Sequence, residues 1–186
     1  MTALARISPG RTGQINLVQG EYAVSADASV ALTTILGSCV AACMRDSRAG
    51  VGGMNHFLLP GALVGKAEGV ERGVHAMELL INELLKAGAK RDRLEAKIFG
   101  GARMMKNLSD IGAKNASFAT DFLRQEGIPV IGGSTGGEAA RRIRFWPATG
   151  KAQQRVMGQS EAHVFARELS IAAAPVAPPA DDVEFF

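Results

Sequence analysis

The chain has 186 residues, 47% of them hydrophobic and 21% charged, with a formal net charge of +3. That balance suits one folded domain with its own core and excludes wholesale disorder. No apolar run approaches the ~20 residues of a membrane helix, so no direct membrane insertion is expected.

The first dozen residues read as a lead-in, with no pattern of a secretory signal. A strand pattern begins at Gln14, with Ile15, Leu17 and Val18, then Tyr22 and Val24. The run Ser29 to Leu36 is rich in Val, Thr, Ile and Leu, and ends at Gly37-Ser38-Cys39. Val40 to Met44 and Val51 to Leu59 flank the polar stretch Asp46-Ser47-Arg48, which predicts a hairpin. Gly61 to Gly69 reads as a glycine-rich loop. A helix follows, with Val74, Met77, Ile81, Leu84 and Leu85 on one stripe and Gly88 as its stop. Leu94 to Phe99 reads as a strand running into Gly100-Gly101. Ser109 or Asp110 can cap a second helix with the stripe Ile111, Asn115, Phe118 and Phe122. Asn115 should therefore face inward as a structural polar anchor, because a buried amide is costly unless bonded. Ile128 to Ile131 predicts a short strand, and Arg142 to Trp146 with Gln154 to Met157 a hairpin around Gly150. From Ile171 the chain turns Ala- and Pro-rich. The expected organisation is one domain over 1–170 and a flexible tail over 171–186.

Two cysteines, Cys39 and Cys43, are too few for a disulfide framework. A reducing compartment, the cytoplasm, is the expected location. The pI is about 9.1, yet the basic clusters are short. One Trp and one Tyr offer little for bases to stack on, so no nucleic acid is expected as partner. Gly132-Gly133-Ser134-Thr135-Gly136-Gly137 lacks the Gly-Lys-Ser/Thr ending of a phosphate loop and reads as a glycine-rich link between strands. Cys39, Cys43 and His56 lack a fourth ligand, so neither a metal nor any other cofactor is expected.

Cys39 stands apart from Cys43 in its setting. A strand ending in Gly37-Ser38-Cys39 allows a tight turn that presents a thiol beside backbone N–H groups. Gly37 and Ser38 are thus candidates for shaping an oxyanion site with the cysteine amide. Cys43 sits mid-run and reads as a small buried hydrophobe, an alternative that is open for Cys39 too. Of three histidines, His56 lies on the second arm of the hairpin whose first arm starts at Cys39, close to opposite it. It is the candidate base, its alternative a half-buried structural histidine. His75 reads as structural or exposed, and His163 as solvated. A neighbouring imidazolium would lower the Cys39 thiol pKa, and the thiolate would raise that of His56.

Gly37-Ser38-Cys39-Val40, together with Gly52-Gly53-Met54-Asn55-His56 ending in Leu58-Leu59-Pro60, resembles the CheD family of chemoreceptor glutamine deamidases. The similarity extends through Phe99-Gly100-Gly101-Ala102 and Ile111 to Asn115, and covers Leu17 to Met157. The resemblance implies an α/β protein, a mixed α-β-β sandwich of the kind shared by CheD and toxin-type cysteine deamidases. It implies a triad with Cys39 as nucleophile, His56 as base and Thr33 as third member. Thr34 is adjacent, but Thr33 shares the strand parity of Cys39. The implied reaction converts receptor glutamines to glutamates through a thioester at Cys39, releasing ammonia in chemotaxis adaptation. A glutamyl methyl ester is a related electrophile, so methylesterase activity is compatible with the same site. The implied partners are the helical cytoplasmic region of chemotaxis receptors and a CheC-type phosphatase. The alternative is a non-catalytic module that binds receptor or such a phosphatase.

Overall fold

The computed structural model describes residues 13–59, 66–104 and 110–158, and no side chains over 66–68. The expected boundary between 170 and 171, and His163, lie outside the described residues. The elements run β1 (Gly13–Asn16), β2 (Tyr22–Ser25), β3 (Val30–Leu36), β4 (Val40–Asp46), β5 (Val51–Asn55) and α1 (Lys66–Lys86). A 3₁₀ turn (Arg91–Arg93), β6 (Leu94–Gly100), α2 (Ile111–Gln125), β7 (Val130–Thr135), β8 (Arg141–Trp146) and β9 (Lys151–Val156) complete the order.

The strands form two sheets, ordered β1-β3-β8-β9 and β2-β5-β4-β6-β7. β1 runs parallel to β3 and β6 parallel to β7; the other pairs are antiparallel. Both helices pack on the five-stranded sheet, where Val40, Ala42 and Met44 of β4 meet Met77, Leu80, Leu84, Phe122 and Leu123. The opposite face of β4 carries Ala41 and Cys43, which join Cys39, Leu32, Leu36, Met54, Phe99, Ile143 and Phe145 between the sheets. The result is three layers: helices, five strands, four strands. This is the expected mixed α-β-β sandwich. Strand period 2 sorts β4 between two apolar environments, which is why the run shows no polar alternation.

The hairpin over β4 and β5 forms as expected. Its turn is held by Asp46, whose Oδ1 accepts from the amides of Arg48 and Ala49 while Oδ2 accepts from the Lys90 amide and Arg93 Nε. Burial pushes this carboxyl up, but the bonds from Lys90, Ala49, Arg93 and Arg48 outweigh burial and hold it at about 2.

Three expectations shift. Of the stretch Gly61 to Gly69 expected as a loop, 61–65 lie outside the described residues and 66–69 are helical, since α1 starts before its apolar stripe. The buried stripe of α1 is Ala76, Met77, Leu80, Ile81 and Leu84, while Val74 is exposed. Leu80 completes an i, i+3, i+4 pattern with Met77, Ile81 and Leu84, while Val74, three residues before Met77, lies at the edge of the stripe in the first half of the helix. Gly132 and Gly133 lie inside β7, and the link is Gly136-Gly137. A Cβ at Gly133 would run into the backbone of Ile98, so glycine there lets β7 pair closely with β6. Asp110 caps α2 through the Ala113 amide, as expected. His75 is exposed. Arg91 pairs with Glu78 and Glu126 and Arg93 with Asp46, so part of the basic count is spent inside the fold.

Candidate active site

β3 and β4 belong to different sheets, and the turn Gly37-Ser38-Cys39 carries the chain from one to the other. Three consecutive carbonyls of this turn are held. The Gly37 carbonyl accepts from Ala102 N, that of Ser38 from Asn115 Nδ2, and that of Cys39 from Gly101 N, each at 2.8 Å. The approach is close enough that a Cβ at Gly100 would meet the Cys39 carbonyl oxygen, and Gly100 has φ +105°. Left-handed backbone at Gly100 and Gly101 thus fixes the cysteine turn from outside. Sequence reading placed the decisive glycine at Gly37. The available signal for the other two was the paired glycine directly after a strand pattern.

Asn115 is fully buried and bridges two sides of the site. Its Nδ2 donates to Ser38 and its Oδ1 accepts from the Leu59 amide at 2.8 Å. This is the inward polar anchor expected from the α2 stripe. It links the chain before β4 to the chain after β5.

Val40 bridges Phe57, with amide-to-carbonyl bonds of 3.0 and 2.9 Å. Together with Cys43 opposite Met54, this register sets Ala41 across from His56. Cys39 is therefore a diagonal neighbour of His56 rather than its direct opposite, and both lie on the inter-sheet face. Both are buried, Cys39 at 4% exposure and His56 at 4%.

The threonine that meets His56 is Thr34, not the expected Thr33. Thr34 Oγ1 lies 2.8 Å from His56 Nδ1, whereas Thr33 Oγ1 donates to the Ile143 carbonyl at 2.8 Å. The reason is the sheet change. Strand parity does not carry through a turn that moves the chain to another layer, so matching Thr33 to Cys39 by parity fails. Even positions of β3, Val30, Leu32 and Leu36, face the inter-sheet core with Thr34 among them, while Ile35 packs with Ala140 and Met157.

The Thr34 hydroxyl has one proton, and it donates to the Leu17 carbonyl at 2.7 Å. Oγ1 must then accept from His56, which puts the imidazole hydrogen on Nδ1 and the lone pair on Nε2. Nε2 is buried and makes no hydrogen bond. Burial pushes the His56 pKa down to about 4, opposed by the Leu17 carbonyl. The shift thus runs opposite to the upward one expected from a thiolate, and the resting ring is neutral. Burial pushes the Cys43 thiol up, countered by Lys97. Among the described residues, no group of three His, Cys, Asp or Glu side chains gathers to hold a metal ion.

Residues 59–156 match the family model described as CheD chemotactic sensory transduction. A Caulobacter vibrioides protein named "Probable chemoreceptor glutamine deamidase CheD" is 55% identical over 164 residues, 87% of this chain and 88% of that one. The chain belongs to the CheD family. Proteins of the same name from Rhizobium etli (51% identical, 97% of this chain and 100% of that one) and Acidiphilium cryptum (50%, all of both) extend the match across both blocks. The family model begins at Leu59, just past His56, so the Cys39 and His56 blocks rest on these full-length relatives. Among the described residues, no helix is long and apolar enough to cross a membrane.

Proposed function

We propose that this CheD-family chain hydrolyses glutamine carboxamides of chemotaxis receptors to glutamates, with Cys39 as nucleophile, His56 as base and Thr34 as the residue that orients His56. The observation that carries the reading is the Thr34–His56 contact, which leaves a buried, unbonded Nε2 on the face that Cys39 shares. The names of the relatives supply the substrate class.

Nε2 takes the Cys39 proton as sulfur attacks the glutamine carbonyl carbon. The tetrahedral oxyanion is met by backbone N–H groups at Ser38 and Cys39, because the Gly37 and Ser38 carbonyls of the same two peptides point the other way, toward Ala102 N and Asn115 Nδ2. The imidazolium returns its proton to the departing nitrogen, and ammonia leaves with a γ-glutamyl thioester on Cys39. Nε2 then deprotonates water, which attacks the thioester and frees glutamate and thiol. A methyl ester follows the same course with methanol as leaving group.

The substrate presents its glutamine on the helical cytoplasmic region of the receptor, and the protein works in the cytoplasm. The cleft of about 570 Å³ lined by Arg142, Arg144, Gln153, Gln154 and Arg155 lies on β8 and β9, with Arg142 and Arg144 on the face turned away from Cys39, and suits an acidic stretch of the same partner remote from the modified glutamine. A CheC-type phosphatase is a second partner of the same domain.

The deciding experiment incubates a receptor cytoplasmic fragment with the protein and maps glutamine-to-glutamate conversion by mass spectrometry. Conversion that vanishes in Cys39→Ala supports the enzyme. Receptor binding with no conversion would make it the non-catalytic module.

A further inference from the structure

Between β1 and β2 the chain folds around His56. Glu21 N donates to the Val18 carbonyl at 3.1 Å, closing a four-residue turn, and Val18 N donates to Glu21 Oε2 at 2.9 Å. Gly20 stands third in this turn with φ +89°, the conformation a type II turn demands there. The turn is fastened to the histidine itself. Gly20 N donates to the His56 carbonyl at 2.7 Å, and His56 N donates to the Glu21 carbonyl at 2.9 Å. Leu17, just before it, is held by Thr33 and Thr34.

The remaining turn residue is Gln19. The residue as a whole is exposed, yet its carboxamide oxygen reaches the cysteine: Cys39 Sγ donates to Gln19 Oε1 at 3.6 Å in a partly buried contact. A glutamine carboxamide, the group the enzyme would act on, rests against the sulfur that would attack it.

We propose that Gln19 holds the carboxamide position of the site and that a substrate glutamine enters by displacing it. Gln19 is then a specificity-determining residue. A free or short glutamine gains little beyond what Gln19 already provides, so the balance favours the resident side chain. A glutamine presented by a docked macromolecule brings binding energy from remote contacts, and that energy drives the exchange. The thiol-to-amide bond also favours the protonated thiol, since it is made by the neutral form. This inference rests on the deamidase reading, but its first test does not require receptor.

The test measures the rate of Cys39 alkylation by iodoacetamide against pH, in wild type, Gln19→Ala and Gln19→Met. Gln19→Ala should label about fivefold faster near neutral pH, the worth of one neutral hydrogen bond, with its profile moved to lower pH. Gln19→Met keeps the bulk without the acceptor, so its profile should move the same way with a smaller gain in rate. A second arm follows a short glutamine peptide, whose KM should fall in Gln19→Ala more than its kcat changes. Labelling rates and profiles equal to wild type in both folded variants would overturn the inference. Should wild type fail to deamidate receptor while Gln19→Ala still labels faster, the deamidase reading falls and the occupancy of the thiol by Gln19 stands.

Discussion

Cys39 and Cys43 are four residues apart, both buried, and both on the inter-sheet side of the same segment, yet they sit in opposite circumstances. Cys43 is mid-strand, paired to Met54 on one side and Lys97 on the other, and burial raises its thiol pKa. Cys39 lies one residue before β4, on a turn whose three carbonyls are tied down, with the Gln19 carboxamide against its sulfur. Burial alone does not tell the proposed nucleophile from Cys43. What separates them is whether the backbone around the sulfur is committed to a ladder or held open at a junction between layers. The comparison predicts the largest effect. Cys39→Ala should lower receptor deamidation about a thousandfold or more, while Cys43→Ala keeps most of it. Equal loss in both, with both melting normally, would break the comparison.

His56, the proposed base, gives a second, thermodynamic difference. The folded-state pKa of His56 is about 4, below the ordinary 6.5. The unfolded chain therefore binds this proton at a higher pH than the native state. Stability is lost as pH falls from about 6.5 and levels off below about 4. The full loss is on the order of 3 kcal/mol. Asp46 acts in a lower window: its carboxyl is depressed to about 2, and its contribution fades as pH falls from about 4 toward 2. Urea midpoints followed from pH 7 to 4 should decline in wild type and stay nearly flat in His56→Gln. A wild-type curve flat over that range would show that the ring is not buried neutral.

Much of this was legible beforehand, for identifiable reasons. The hairpin, α2 and the inward face of Asn115 follow from local period and turn chemistry, which tertiary packing left intact. The pairing of Cys39 with His56 follows from hairpin register, correct to one diagonal step. The carbonyl anchors at Gly101 and Ala102 were not legible, because they come from a segment more than sixty residues away that the turn meets only in three dimensions. Gln19, twenty residues before Cys39, likewise meets the sulfur only in three dimensions.

Asn115 sharpens the comparison from the side of the turn. Asn115→Ala leaves the Ser38 carbonyl and the Leu59 amide without their bonds. Unsatisfied buried groups cost about 1–3 kcal/mol each, so about 2–3 kcal/mol in total is expected once solvent reaches the half-buried Ser38. For a chain of this size that lowers Tm by roughly 4–12 °C. Turnover measured below the melt should fall too, because the cysteine turn loses one of three anchors. Lost turnover with unchanged melting would instead make Asn115 a group that acts on substrate.

The smallest expected effect divides Thr33 from Thr34, which differ by one position as the cysteines differ by four. Both hydroxyls are fully buried, so exposure cannot rank them. Thr34 meets His56 Nδ1 and bonds Leu17, whereas Thr33 bonds Ile143 on the neighbouring strand. Valine keeps the shape of threonine and removes the hydroxyl. Thr34→Val should lower kcat about tenfold, the kinetic equivalent of one hydrogen bond to the ring, because nothing then selects the Nδ1–H tautomer. Thr33→Val should cost about 1 kcal/mol of stability and leave kcat near wild type. Iodoacetamide labelling separates mechanism from damage. Cys39 should still label in Thr34→Val, since the thiol and its turn are untouched, while deamidation slows. If Thr33→Val is the variant that loses turnover, strand parity carries through the Gly37 turn after all, and the assignment of Thr34 fails.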